Sequence, residues 1–294
     1  MPTALSDLLL PWFDRNARDL PWRRADTTPW GVLVSEFMLQ QTPVSRVEPL
    51  WSDWMRRWPT PAALADASQA DVLRAWGKLG YPRRALRLHA AAAAIATEHA
   101  NVVPSDVDEL LALPGVGAYT ARAVAAFGYA RRAPVVDTNV RRVIARVVHG
   151  AGDAGPPRTT ADLADADALL PADEPTAARF SAALMELGAV RCTARRPICT
   201  DCPAVSICLW HGLGRPEYTG PAKPVQRFAG TDRQVRGRLL DVLRDAPGPV
   251  SRADLDTAWS DAAQRDRCLF SLLSDGLVEQ LADNRFALPG ESTL

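Results

Sequence analysis

The chain has 294 residues, 47% of them hydrophobic and 23% charged, and its 34 basic and 34 acidic side chains leave a formal net charge of zero. Such a composition suits a globular protein with one large core, or a large domain plus a small one, and excludes any global attraction to nucleic acid or anionic membranes. No apolar run is long enough to span a bilayer, and the amphipathic start Met1 to Asp14 carries Asp7 and Asp14 instead of a basic signal-peptide region, so a cytoplasmic protein with no membrane partner is expected.

Helical signals run from the start to about residue 212. Val32, Leu33, Phe37 and Leu39 lie in a segment that Pro43 closes early, and Leu86 to His99 reads as an alanine-rich helix. Ser105 and Asp108 are spaced as a capping box ahead of Leu110, Leu111 and Leu113. Pro114-Gly115-Val116-Gly117 breaks that helix, and Tyr119 to Phe127 begins the next. Val135–Val136 reads as a short extended bridge, after which Asp137, Thr138 and Asn139 offer caps for a helix over Val140 to Val148. A Gly/Pro-rich loop covers Gly150 to Thr160, and a further helix covers Thr176 to Leu187.

From Arg215 to Gly230 the prolines and glycines suggest a linker. Beyond it, Thr231 with Gln234 and Ser251 with Asp254 have capping-box spacing, and Arg265 to Ser274 reads as a third helix closed by Asp275–Gly276. Leu277 to Leu281 and Arg285 to Leu288 look like short strands joined at Asp283–Asn284. Three helices followed by a hairpin is the winged-helix pattern.

Four of the five cysteines fall within seventeen residues as Cys192-x6-Cys199-x2-Cys202-x5-Cys208, whereas Cys268 stands apart in an apolar helical setting and reads as a buried core thiol. Four thiolates in one short loop can close around one metal centre, either zinc or an iron–sulfur cluster. The single Cys-x2-Cys knuckle favours the cluster, since zinc ribbons usually use two. Arg191, Arg195 and Arg196 in the same loop suit phosphate contacts, or are solvated surface charge.

The cysteine spacing, following Met185–Glu186–Leu187–Gly188–Ala189, resembles the [4Fe–4S] loop of the endonuclease-III-like DNA glycosylases. Leu113-Pro114-Gly115-Val116-Gly117 resembles their helix-hairpin-helix motif, in which Gly115 and Gly117 turn the backbone and expose N–H groups to a phosphate. Asp137 follows Gly115 by 22 residues, the separation at which that superfamily places its catalytic aspartate; it also suits a helix N-cap, and the two readings are compatible. Tyr119 stands where strand-cleaving members carry a Schiff-base lysine, which implies an enzyme that stops at base removal.

Ser35-Glu36-Phe37-Met38-Leu39-Gln40-Gln41-Thr42 closely resembles the signature of the adenine DNA glycosylases, the MutY family, and the resemblance extends from about Leu20 to Trp210. It implies hydrolysis of the N-glycosidic bond of adenine mispaired with 8-oxoguanine or guanine, by a monomer acting on double-stranded DNA. Glu36, in apolar company that favours the neutral acid, is the implied proton donor, and Asp137 the stabiliser of an oxocarbenium-like sugar. Tyr119 is placed beside the sugar and Asn139 against Asp137. Gln41, Thr42 and Tyr81 are placed at the duplex, and Arg18, Trp22 and Glu186 at the adenine pocket. The implied fold is mainly helical: a six-helix barrel over 22–136 with the hairpin, an iron–sulfur helical domain over 1–21 and 137–212, a linker over 213–230, and a winged-helix-like domain over 231–294.

The chain departs from that family in two ways. Its tail is short and lacks the glycine-rich strand pattern of the Nudix-like domain that reads 8-oxoguanine, and Pro82 replaces the second tyrosine of the usual Gly-Tyr-Tyr. A thymine or uracil mismatch glycosylase, a strand-cleaving lyase and a non-enzymatic iron–sulfur DNA-binding regulator are the competing readings.

Overall fold

In this computed structural model the described residues are 2–221 and 228–291, and besides three 3-10 turns (Pro21–Arg23, Gly77–Leu79 and Val205–Ile207) they form fifteen α-helices and one short hairpin. They are, in order, α1 (Pro2–Asn16), α2 (Pro29–Leu39), α3 (Val44–Arg57), α4 (Pro61–Ala65), α5 (Gln69–Trp76), α6 (Arg83–Glu98), α7 (Val107–Ala112) and α8 (Ala118–Tyr129). There follow α9 (Thr138–Val147), α10 (Thr159–Asp167), α11 (Glu174–Val190), α12 (Leu209–Gly212), α13 (Asp232–Asp245), α14 (Arg252–Asp256) and α15 (Ala262–Ser274), then the antiparallel pair β1 (Glu279–Gln280) and β2 (Phe286–Ala287). Among the described residues no helix is long and apolar enough to cross a membrane.

Many helix starts are written locally. The side chains of Thr60, Ser68, Asp137, Asp173, Ser251 and Asp261 each accept a backbone N–H of the first turn that follows them, which satisfies donors a helix otherwise leaves open. Ser251 and Asp254 form the expected reciprocal box. Two other boxes are not made. Asp106, not Ser105, caps α7, its Oδ1 accepting from the N–H groups of Asp108 at 2.8 Å and Glu109 at 3.2 Å. Before α13 the Thr231 hydroxyl donates to the Phe228 carbonyl, and Gln234 accepts from the Gly230 N–H, so neither side chain serves the other's backbone. Helix α2 ends at Leu39 and Gln41 turns into the left-handed region (φ 56°), leaving Pro43 as the N-cap of α3. Part of the expected linker, residues 222–227, lies outside the described residues.

Contacts group the chain into two units. The first comprises Met1–Leu33, Pro104–Ala112 and Val116–Lys223. Its core joins Leu5, Leu9 and Trp12 of α1 to Val140, Val143 and Ile144 of α9 and to Phe180, Leu184 and Leu187 of α11. Cys192, Cys202 and Cys208 pack against that core.

The second unit comprises Val34–Val103, Leu113–Gly115 and Pro224–Leu294. Here α4 and α5 pack on α6, and Trp54 meets Trp58 and Trp76 edge-on at centroid distances of 4.8 and 5.6 Å. In the tail, α13 packs on α14 and α15, and the hairpin turns at Asn284 (φ 64°). Val250 pairs with Phe286 beside the two-residue strands, and Cys268 is buried. Three helices and a hairpin agree with the winged-helix pattern.

Candidate active site and cysteine loop

In the first unit, Asp137 caps α9 and does more than cap it. Its Oδ1 accepts from the N–H groups of Asn139 (2.8 Å) and Val140 (2.7 Å), while Oδ2 accepts from the Asn139 side-chain amide at 2.7 Å. Burial pushes the Asp137 carboxyl above the ordinary aspartate range, and those three bonds and the Arg142 charge oppose the rise. The Asn139 oxygen accepts in turn from Arg142 at 2.8 Å, and Arg142 also donates to the carbonyls of Gly188 and Cys192, both at 2.7 Å. A continuous run of hydrogen bonds thus joins Asp137 to the backbone of the first loop cysteine. Helix α11 crosses so close to Asn139 that a side chain at Gly188 would put its Cβ within 2.8 Å of the Asn139 carbonyl oxygen.

Glu186 on α11 is fully buried and binds two arginines of the segment after α1. Arg18 holds it through Nε at 2.7 Å and Nη2 at 2.9 Å, and Arg23 adds a contact at 2.8 Å. Burial alone would raise this carboxyl, but the Arg18 hydrogen bonds and the Arg23 charge outweigh it and hold the group at about 2. Trp22 is buried in the 3-10 turn Pro21–Arg23, which also carries Arg23. The structure therefore joins Arg18 to Glu186, two of the residues expected at the adenine pocket, and adds Arg23, which in sequence is one of many arginines. Tyr119 is half-buried at the second position of α8.

Between α7 and α8, Gly115 adopts φ 76°, and a Cβ there would also lie 2.6 Å from the Arg87 Cβ. Leu113 and Val116 are buried and anchor the turn, whereas Pro114 and Gly117 are exposed.

In the second unit, Glu36 is 5% exposed on a stretch of α2 where Val34, Ser35, Phe37 and Met38 are all buried. The residue that organises the end of this helix is Arg84. Its buried guanidinium donates to the carbonyls of Phe37 (2.8 Å), Met38 (3.0 Å), Gln40 and Gly80 (3.0 Å), and to the Thr42 hydroxyl at 3.0 Å. Burial lowers its pKa to about 10, so it stays a cation at neutral pH. Arg84 thereby ties the turn bearing exposed Gln41 to the turn bearing Tyr81, each of which has left-handed backbone (φ 56° and 48°). In sequence Arg84 looks like surface charge beside Arg83; nothing local marks it as buried.

The four loop cysteines, all free thiols, line one small hollow together with apolar side chains of Val147, Leu187 and Val205. Among the described residues no three His, Cys, Asp or Glu side chains are gathered as a single-ion site. Burial, and then the charges of Cys192, Cys208 and Cys199, push the Cys202 thiol up to about 11. Buried Arg146, a further residue missed in sequence, donates to the Cys192 Sγ at 3.3 Å and stacks 4.5 Å over Trp210.

The chain is similar to several known proteins. Residues 34–166 match the HhH-GPD superfamily of base excision DNA repair proteins. An adenine DNA glycosylase of Mycobacterium tuberculosis is 62% identical over 99% of this chain and 95% of its own length, and one of Mycolicibacterium smegmatis is 66% identical over 96% and 95%. A human adenine DNA glycosylase is 40% identical over 70% of this chain and 39% of its own. Among solved structures, a thermostable thymine-DNA glycosylase superposes with a TM-score of 0.65 at 24% identity, over 72% of this chain and 97% of that one. Endonuclease III in a non-covalent DNA complex does so with a TM-score of 0.60 at 22% identity, over 72% and 95%. These two likenesses concern the fold.

Proposed function

The chain belongs to the adenine DNA glycosylases of the helix-hairpin-helix base excision superfamily, and we propose that it hydrolyses the N-glycosidic bond of adenine opposite 8-oxoguanine or guanine in double-stranded DNA. Asp137 carries this reading: a largely buried carboxylate, held at a helix start by three hydrogen bonds, is fixed more firmly than capping alone requires.

The target nucleotide leaves the stack before reaction. Glu36, as the neutral acid, protonates adenine N7. The C1′–N9 bond then breaks with its electron pair passing to the base, and an oxocarbenium-like sugar remains. Asp137, ionised, stabilises that cation, with Asn139 fixing its orientation. Glu36, now a carboxylate, takes a proton from the water that adds to C1′, which leaves free adenine and an abasic site. Tyr119 lies beside the sugar and has no amine to form an imine there, so the strand stays intact. Gly115 and Gly117 serve the phosphate backbone, Gln41, Thr42 and Tyr81 the duplex, and Arg18, Trp22 and Glu186 the adenine pocket.

Cys192, Cys199, Cys202 and Cys208 would hold a [4Fe–4S] cluster. Four thiols lining one hollow, one of them pushed up chiefly by burial and then by the other cysteines, suit a cationic group that takes them as thiolates. When bound, it would fix the loop that presents Arg195 and Arg196. The protein works as a monomer in the cytoplasm, with an iron–sulfur helical domain, a six-helix barrel, a linker and a winged-helix-like domain.

The test is single-turnover base release on duplexes with A·8-oxoguanine, A·G and T·G. Adenine release from the first two is expected; thymine release without adenine would replace this reading by a mismatch thymine glycosylase. A second expectation concerns pH. The Asn139 amide favours ionised Asp137, so Asn139→Ala raises the Asp137 pKa further. The acidic limb of the single-turnover rate profile then moves to higher pH; an unmoved limb would show that the amide does not tune the carboxylate.

A further inference from the structure

Tyr81 is held in an unusual way. Its backbone is in the left-handed region (φ 48°), following Gly80 at φ 83°, a conformation that a bulky residue adopts only when its surroundings impose it. Its ring is flanked by two guanidinium groups: Arg84 with its carbon 5.5 Å from the centroid and Arg233 at 4.8 Å. Arg84 belongs to the same segment and is fixed by its five acceptors. Arg233 comes from the first turn of α13, in the tail.

The tail is pinned at this place by other pairs. Arg244 of α13 donates to the Leu73 carbonyl at 3.1 Å, and Arg74 of α5 reaches the Ala246 carbonyl at 3.2 Å and the Glu291 carboxylate. Asp275, at the end of α15, accepts from both Arg83 (3.2 Å) and Arg236 (2.6 Å). These contacts fix α13 against α5 and the start of α6, so Arg233 meets the tyrosine from a defined direction. A cation over an aromatic face restricts the ring without covering its edge, and Tyr81 stays 37% exposed.

We propose that Arg233 is a positioning residue for Tyr81, through which the winged-helix-like tail sets how well the enzyme discriminates the base opposite the adenine. The inference rests on the proposed adenine excision, in which Tyr81 enters the duplex. A ring held in advance loses little rotational freedom on entering the stack, and its placement decides which opposite base it can lie against. The tail thus acts on specificity through a side chain of the catalytic portion, without a Nudix-like architecture of its own.

The experiment is a double-mutant cycle of Arg233→Ala and Tyr81→Ala in the full chain, with Arg233→Lys as the conservative variant. The readouts are single-turnover rates on A·8-oxoguanine and A·G duplexes, with thermal unfolding midpoints as a control for folding. Arg233→Ala is expected to slow A·8-oxoguanine turnover roughly two- to five-fold, the rate equivalent of one exposed cation–π pair, and to narrow the preference over A·G. Arg233→Lys should restore part of both, and Arg233→Ala should have no further effect once Tyr81 is alanine. Additive losses in the cycle would assign Arg233 to direct phosphate contact and overturn the proposal, as would an unchanged preference. If the wild-type protein releases no adenine, the functional reading itself fails; if it does and Arg233→Ala matches it, only this inference fails.

Discussion

Asp137→Asn is expected to lower the single-turnover rate of adenine release by on the order of a thousandfold, with a thermal midpoint close to that of the wild-type protein. Asparagine caps a helix as well as aspartate does, so the bonds from the N–H groups of Asn139 and Val140 can survive the change. The negative charge does not survive, and that charge is what opposes the positive sugar in the transition state. Burial sharpens the difference, because a charge in low-dielectric surroundings acts more strongly than one in water. The Asn139 side-chain amide would face an oxygen or a second amide and could rotate accordingly. A rate within tenfold of wild type, in a protein that still binds the duplex, would reduce Asp137 to a structural cap.

This result bears on how function and folding share a residue. The N-cap role of Asp137 was readable from the Asp-Thr-Asn run, because capping is a local matter of one side chain and the N–H groups two and three residues on. So were the glycine turn at Gly115, where a positive φ is needed, and the four cysteines, whose spacing is their message. The capping errors have the same local origin. Ser105 and Asp106 are adjacent and both able to cap, and the carboxylate of Asp106 reaches two N–H groups where Ser105 was expected to reach one.

What stayed illegible is long-range and mostly arginine. In a chain with two lysines and many arginines, buried Arg84 and Arg146 and half-buried Arg23 and Arg142 look like the solvated ones. Their importance lies in their acceptors, which are carbonyls and carboxylates far along the chain: Phe37 and Met38 for Arg84, Thr193 and Ala194 for Arg146, Glu186 for Arg23. A buried guanidinium needs several acceptors to offset its lost hydration, and no pattern in its own neighbours announces them. The docking of the tail was hidden for the same reason. Capping and alternation predicted its elements, but not that Arg74 would pair with Glu291 or that Arg233 would lie over Tyr81.

Glu36 is the residue on which the chemistry turns. It is 5% exposed among buried neighbours on α2, and the proposed mechanism asks it for a proton that adenine must receive before it can leave. Glutamine has nearly the same shape and is uncharged, so Glu36→Gln leaves the packing of α2 intact while removing the donor. Loss of a positioned general acid is worth roughly 10²–10⁴ in rate, and here the same group is also the base for water. The most direct measurement follows wild type and Glu36→Gln under single-turnover conditions on an A·8-oxoguanine duplex, scoring free adenine and strand breaks separately alongside duplex binding. Wild-type protein should release adenine and leave an unbroken abasic strand, and Glu36→Gln should bind the duplex yet release adenine at least a hundredfold more slowly. Release by Glu36→Gln at the wild-type rate, or strand cleavage that keeps pace with base release, would contradict excision by two carboxylates.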